Sequence, residues 1–205
     1  GYWHRGRLWA TRDDHDRAVA DFTWVLRLDP GNAAALNLRG VSHSERGDYA
    51  AAAADFSEAV RLDPDELAPV FNRGMARVRL RDLPGALADF TRAVELAPDD
   101  PAGFVQRGYV RHELGDADGA AADFGEAIRL TPDSPRGYVA RAVSRRRAGD
   151  LAAALADATA AVERDAAGVG PLNLRGAIRS QLGDHAGALA DHLAARERNP
   201  DDAAT

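Results

Sequence analysis

Six arginines and six aspartates recur at one fixed interval in this chain. Arg5, Arg39, Arg73, Arg107, Arg141 and Arg175 are spaced 34 residues apart, as are Asp21, Asp55, Asp89, Asp123, Asp157 and Asp191. A guanidinium presents a planar fork of donors that a carboxylate or phosphate fills with two parallel hydrogen bonds. Four residues after each arginine stand Trp9, His43, Arg77, Arg111, Arg145 and Arg179. On a helix that spacing puts Arg73 and Arg77 on one face. An aspartate from a second helix, either Asp89 of the same unit or Asp55 of the previous one, fits between them. Repeated, this makes an ion-pair ladder in which Arg39, Arg73, Arg107, Arg141 and Arg175 meet Asp55, Asp89, Asp123 and Asp157. Left unneutralised, the same arginines would form an anion-binding array for phosphate or an acidic peptide. Self-neutralisation is the simpler reading, with partly buried pairs setting register more than adding stability.

No other group of residues points to catalysis. There is no Gly-rich phosphate loop, no HExxH and no GxSxG. The six histidines are scattered, and none has a partner at metal-ligand spacing. Cysteine is absent, which removes disulfides, thiolate metal sites and thiol nucleophiles. The expectation is a protein that is not an enzyme and needs no cofactor or metal. The run Arg145-Arg146-Arg147 is the one basic cluster, and on a helix its members point in different directions. A net charge of −6 argues against a general nucleic-acid surface. All 26 basic residues are arginine, consistent with a GC-rich coding sequence. No apolar run approaches the roughly 20 residues of a membrane-spanning helix, and no secretory signal is visible. These features set the expectation of a bacterial, cytoplasmic protein without membrane or nucleic-acid partners. Gly1 in place of an initiator Met leaves room for an upstream leader or domain.

The elements that position the arginines follow from the same period. Gly6, Gly40, Gly74, Gly108, Ala142 and Gly176 keep the 34-residue step, as do Ala18, Ala52, Ala86, Ala120, Ala154 and Ala188. Pro30, Pro64, Pro98 and Pro132 keep it, skip Ala166 and resume at Pro200; Phe22, Phe56, Phe90 and Phe124 keep it until Ala158 and His192. Six units result, 1–30, 31–64, 65–98, 99–132, 133–166 and 167–200, forming one domain over 1–200 with a tail at 201–205. Each unit reads as two helices; in the third they run from about Leu67 to Leu80 and from Asp82 to Leu96. Asp14, Asp48, Asp82, Asp116, Asp150 and Asp184 stand where an N-cap belongs. Gly47, Gly115, Gly149 and Gly183 precede four of them, as a left-handed helix end prefers. Pro101 and Pro135 suit a first helical position. Gly74, Ala86 and Ala93 suit the crossing of the two helices, where larger side chains would hold the backbones apart.

A 34-residue step with small, small, Phe, Ala and Pro at these places resembles the tetratricopeptide repeat family over roughly residues 1 to 200. The resemblance implies an all-α, right-handed superhelical α-solenoid of antiparallel helix pairs, about 12 helices in all. It also implies a non-catalytic scaffold whose first helices line a concave groove for a protein or peptide. The residues it places in that groove are Asn37, Val41, Phe71, Met75, Val105, Tyr109, His112, Val139, Arg146 and Asn173. The groove is then apolar in its middle and polar at its ends. A subgroup of the family grips chaperone C-termini with Lys and Asn; here Trp3 and Arg7 stand in the first unit, lysine is absent, and Asn72 alone fits. In this family a leucine more often occupies the arginine address.

The ends differ. Trp3, Trp9 and Trp24 crowd into the first unit, and no other unit has tryptophan. They suggest an interface at the N-terminal end, through an upstream segment or self-association of two chains. His192, Arg196 and Arg198 replace apolar residues of earlier units, as a terminal cap requires, although Pro200-Asp201-Asp202 resembles the start of a seventh unit. A second functional reading follows: an oligomerisation or assembly module of a longer signalling or enzymatic protein, acting through its end faces.

Overall fold

A computed structural model describes residues 1–165 and 167–199. The helices are α1 (Tyr2–Ala10), α2 (His15–Leu28), α3 (Ala33–Glu45), α4 (Tyr49–Leu62), α5 (Leu67–Arg79), α6 (Leu83–Leu96), α7 (Pro101–Glu113), α8 (Ala117–Leu130), α9 (Pro135–Arg147), α10 (Leu151–Arg164), α11 (Val169–Gln181) and α12 (His185–Arg198). Among the described residues there is no strand. The chain divides into two compact units, one of Gly1–Pro98 and one beginning at Asp99. Each holds three helix pairs, and the short loops make consecutive helices antiparallel neighbours. In the first unit α1 packs on α2, α3 on α4 and α5 on α6, while α2·α3 and α4·α5 join successive pairs. The second unit repeats this with α7·α8, α9·α10 and α11·α12, joined by α8·α9 and α10·α11. First helices also touch, α1·α3 and α3·α5 in one unit, α7·α9 and α9·α11 in the other. Each unit is thus a short α-solenoid whose pairs bury their apolar faces on one another. Ala166, Pro200, the suggested seventh-unit start and the tail at 201–205 lie outside the described residues.

The turn inside each pair is built as its residues dictate. Asp14, Asp82, Asp116, Asp150 and Asp184 each accept the amide of the residue three places on, satisfying a donor the first turn leaves free. Asp48 departs from the expected cap: its side chain makes no capping bond. Its carboxylate instead lies 3.4 Å from Arg46, at an address that Leu80, Leu114, Ala148 and Leu182 hold in the later repeats. The residue before the cap is left-handed throughout. Gly47, Gly115, Gly149 and Gly183 have φ of 83–86°, and Asp13 (57°) and Arg81 (64°) adopt the same region without being glycine.

Between the two helices of a pair, one contact sets the spacing. A Cβ added at Gly40 would lie 2.7 Å from the Phe56 ring, at Gly74 2.9 Å from Phe90, and at Gly108 2.7 Å from Phe124. Phe22, Phe56, Phe90 and Phe124 are fully enclosed. The fifth pair solves the same problem the other way: Ala142 replaces the glycine and Ala158 the phenylalanine, and both are fully buried. A methyl on one helix is accommodated by a smaller side chain on the other, as close packing demands. In the sixth pair His192 stands at the phenylalanine address against Gly176, exposed and in hydrogen-bond contact with Asn173.

Candidate functional site

The recurring arginines and aspartates meet within each pair. Arg39 donates to Asp55 from Nε (2.8 Å) and Nη2 (2.7 Å), and Arg141 to Asp157 at 2.9 and 2.7 Å. Arg5 holds Asp21 in the same bidentate way, and Arg175 holds Asp191. Of the two aspartates open to Arg73, the structure selects Asp89 of the same repeat. The second arginine completes a fork around one carboxylate: Arg77 donates to Asp89 (2.7 Å), Arg111 to Asp123 (2.8 Å), Arg145 to Asp157 (2.7 Å) and Arg179 to Asp191 (2.8 Å). Arg77, Arg111 and Arg179 also bond a carbonyl in the next helix's first turn, those of Gly85, Gly119 and Gly187. These six aspartates are all buried. The clusters sit inside individual repeats rather than running between them; one bond to a neighbouring repeat is Arg39 to the Thr23 hydroxyl.

Charge follows geometry. The hydrogen bonds from Arg5, with its positive charge and a bond from Trp9, hold the Asp21 carboxyl below its ordinary range despite burial. Arg39 and Arg175 are pushed up, chiefly by their bonds to Asp55 and Asp191. The guanidinium forks therefore point inward at carboxylates, not outward at an anion. His43 takes the second-arginine address in the second repeat, 4.0 Å from Asp55, and Trp9 takes it in the first.

The other first-helix face is a different environment. Val41, Phe71, Asn72, Met75 and Arg79 line an open cleft of about 440 Å³ in the first unit, with Ser44, Glu45 and Tyr49 at its wall. Trp3, Arg7, Asn37 and Leu38 line a neighbouring cleft of about 530 Å³ with Asp63, Glu66 and Pro69. Asn72 donates to Asn37 at 3.1 Å, linking consecutive first helices. In the second unit, Val105, Gln106, Tyr109, Arg136 and Val139 line a cleft of about 510 Å³ with Asp165 and Pro171. Met75 is 38% exposed and Tyr109 41%. Phe71 is half-buried, its ring edge-on to Phe90 at 5.4 Å, and Tyr109 meets Phe124 in the same way at 5.3 Å. Burial of the Tyr109 ring pushes its phenol above the ordinary value.

Two further groove residues, His112 and Asn173, also have polar partners within the fold. His112 Nε2 lies 3.1 Å from Arg147 Nη1, and its Nδ1 lies 2.9 Å from Ser144 Oγ. Arginine can only donate, so Nε2 accepts and the proton sits on Nδ1, bonded to the serine. Arg147 also pairs with Glu113 at 2.7 Å, so His112 ties α7 to α9. Asn173 is exposed and lies 3.3 Å from the His192 ring. Arg146 is half-buried and pairs with no carboxylate among the described residues. Among these residues no group of three His, Asp or Glu side chains could hold a metal ion.

Sequence reasoning placed Tyr49, Arg79 and Gln106 on no functional surface, although each lines a cleft. One signal was readable: Glu45, Arg79, Glu113 and Arg147 alternate in sign at 34-residue steps. Of the three tryptophans assigned to the end, Trp3 lies edge-on to Phe22 at 6.1 Å and lines a groove cleft. Trp9 is half-buried beneath the Arg17 guanidinium at 4.7 Å. Trp24 stays 45% exposed, stacked on Tyr2 at 5.8 Å.

The tetratricopeptide repeat family model matches residues 5–66 and 71–135, more than half of the chain. The chain belongs to the tetratricopeptide repeat family. No curated protein sequence matches it. Solved structures of the same fold are numerous. PilW, a type IV pilus biogenesis factor, superposes with a TM-score of 0.84 at 20% identity, covering 97% of this chain and 92% of its own. A tetratricopeptide repeat protein from Parabacteroides merdae gives 0.83 at 18% identity, covering 93% and 75%. YrrB, described as a tetratricopeptide repeat protein with an unusual peptide-binding site, gives 0.67 at 19% identity, covering 88% and 93%. At these identities the likeness is one of fold. The tetratricopeptide repeat architecture is a framework for protein–protein interaction, and no described helix is long and apolar enough to cross a membrane.

Proposed function

We propose that this protein is a non-catalytic scaffold that binds an extended peptide segment of a partner along the first-helix faces of its repeats. One observation carries the reading. Phe71, Met75 and Val41 in one unit, and Val105, Tyr109 and Val139 in the other, stay partly exposed in open clefts while the second-helix phenylalanines are completely buried. Partly exposed apolar and aromatic side chains beside a few polar groups form the usual composition of a recognition site. The Asn37 and Asn72 amides can each donate to and accept from a peptide backbone. The arginine–aspartate clusters serve as positioning groups, holding the first helices at a fixed rotation. The grouping of 1–200 as one domain of six repeats, and a bacterial cytoplasmic setting, belong to the same proposal.

Panning a displayed random-peptide library on the full chain tests it. Selected peptides should bind the wild type and lose affinity for Met75→Glu or Arg136→Glu, with melting temperatures little changed, since both side chains are exposed in their clefts. Phe71→Ala and Tyr109→Ala are poorer probes, because their rings also pack on Phe90 and Phe124. Failure to select any peptide, or selected peptides that bind both variants as tightly as wild type, would sink the groove.

A further inference from the structure

Two Glu–Arg combinations stand at matching addresses in this chain, and the fold closes one and holds the other open. In the second unit Arg147 meets Glu113 at 2.7 Å, tying α9 to α7. Glu45 and Arg79 occupy the matching addresses two repeats earlier, and both line the cleft between α3 and α5. Among the described residues the Arg79 side chain makes no hydrogen bond or ion pair, and neither does Glu45. The Arg79 guanidinium lies instead over the Tyr49 ring, 4.4 Å from its centroid. Tyr49 explains the difference, because Ala117 stands at its address two repeats later and offers no ring. At an exposed site, stacking on an aromatic face is worth about as much as an ion pair. It also leaves the in-plane N–H donors of the guanidinium free. The cleft therefore holds an unfilled planar fork beside the apolar side chains of Val41, Phe71 and Met75, with the Asn72 amide among them. Both bounding helices, α3 and α5, lie within the first unit, so the cleft is not an open end of the repeat array.

We propose that this cleft selects extended peptide segments of a partner that carry a single carboxylate beside a bulky apolar side chain. The inference rests on the peptide-binding reading above and adds the chemistry of the ligand. The apolar side chain enters among Val41, Phe71 and Met75, and the carboxylate takes the free donors of the Arg79 fork. Glu45 sets the limit to one acid, since an acidic run would bring a second carboxylate against it. Arg147 offers no such fork in the second unit, because Glu113 already holds it. Tyr49 is the positioning residue, keeping Arg79 from closing on Glu45.

The test pans a random-peptide library, displayed with free C-termini, separately on the full wild-type chain and on Arg79→Glu. Arg79 is exposed, so this variant keeps the fold. Wild-type selections should carry one Asp, Glu or terminal carboxylate within two residues of a Phe, Leu, Ile or Met, and Arg79→Glu selections should carry Lys or Arg in its place. Synthetic peptides of the wild-type selections, titrated by fluorescence anisotropy, should weaken about tenfold in Arg79→Glu and recover when their acid is replaced by lysine. Amidation separates the two sources of the carboxylate: a peptide that loses affinity when amidated uses its terminus, and one that does not uses its side chain. Tyr49→Ala should weaken the same peptides by letting Arg79 close on Glu45, and adding Glu45→Gln should restore them, a rescue that lost packing alone would not give. Selections with no preference for an acid that still lose affinity for Met75→Glu overturn this inference and leave the groove standing. Selection of no peptide at all overturns both. Light scattering that shows wild-type dimers, dissociated by Arg79→Glu, overturns the inference too, by making a second copy the occupant.

Discussion

Replacing Arg107 with alanine isolates what one arginine–aspartate cluster does. Asp123 is 2% exposed and receives Arg107 Nε at 3.0 Å, Arg107 Nη2 at 2.7 Å and Arg111 Nη1 at 2.8 Å. Removing one partner of a buried ion pair typically costs about 3–5 kcal/mol, because the remaining charge stays desolvated. Here Arg111 still supplies one charge-assisted bond, worth about 1.5–3 kcal/mol, which offsets part of the loss. The expected cost of Arg107→Ala is therefore about 2–4 kcal/mol. A loss near 3 kcal/mol corresponds to a fall in melting temperature of roughly 6–12 °C for a chain of this size. Arg111→Ala, which removes a single bond to the carboxylate and a long one to the Gly119 carbonyl, should cost about 1–2 kcal/mol. Arg5→Ala should cost least, because the Arg5 side chain is 57% exposed against 14% for Arg107 and water screens its pair. Urea unfolding followed by circular dichroism measures the order, and hydrogen exchange in α7 and α8 places the loss in the fourth repeat. An Arg107→Ala midpoint equal to wild type, or an Arg5→Ala loss as large as that of Arg107→Ala, would refute the reasoning.

Three further outcomes follow from the same contacts. Gly108→Ala should destabilise by about 1–3 kcal/mol through overpacking against Phe124, although Gly→Ala in an unconstrained helix stabilises; adding Phe124→Ala should relieve that clash, and a thermal melt showing Gly108→Ala neutral would contradict the close approach. Arg81→Gly should stabilise by about 0.5–1 kcal/mol, since only glycine adopts φ near 64° without side-chain strain; denaturant unfolding measures it, and a loss would show that the Arg81 side chain makes compensating contacts. The bonds from Arg5 depress the Asp21 carboxyl in the folded state, so its stabilisation is present above about pH 4 and is lost as pH falls through the depressed folded value. Asp21→Asn should be less stable at neutral pH and show a shallower acid-unfolding profile, and parallel profiles for the two proteins would exclude Asp21 from acid sensitivity.

How far the architecture could be read without coordinates depends on where each signal lies along the chain. Local signals were sufficient for the helices. Proline at the first positions of α7 and α9, aspartate at second-helix N-termini and glycine before them each act through the backbone of neighbouring residues. Asp48 escaped this reasoning because Arg46 approaches its carboxylate, a contact that depends on how α3 ends. Arg81 and Asp13 escaped it because their left-handed conformation is imposed by the turn rather than invited by the residue. The candidate site was legible in part: period and resemblance picked the first-helix addresses, but degree of exposure and partners for His112 and Trp9 depend on neighbours outside those helices.

The sequence by itself determined the repeat length, the two-helix unit and the residue types at each address, because a 34-residue period and its caps are properties of the chain read in order. Tertiary structure decided which groups meet. It paired Arg73 with Asp89 of its own repeat rather than Asp55, since side chains 16 residues apart face each other only once the two helices fold back together. It showed that Ala142 and Ala158 restore the packing of Gly108 and Phe124, a compensation between two helices. It also separated Trp24, left in solvent, from Trp3 and Trp9, turned into the first repeat. The physical reason is common to all three: burial and pairing are set by distances across helix interfaces, and the linear order of residues does not contain those distances.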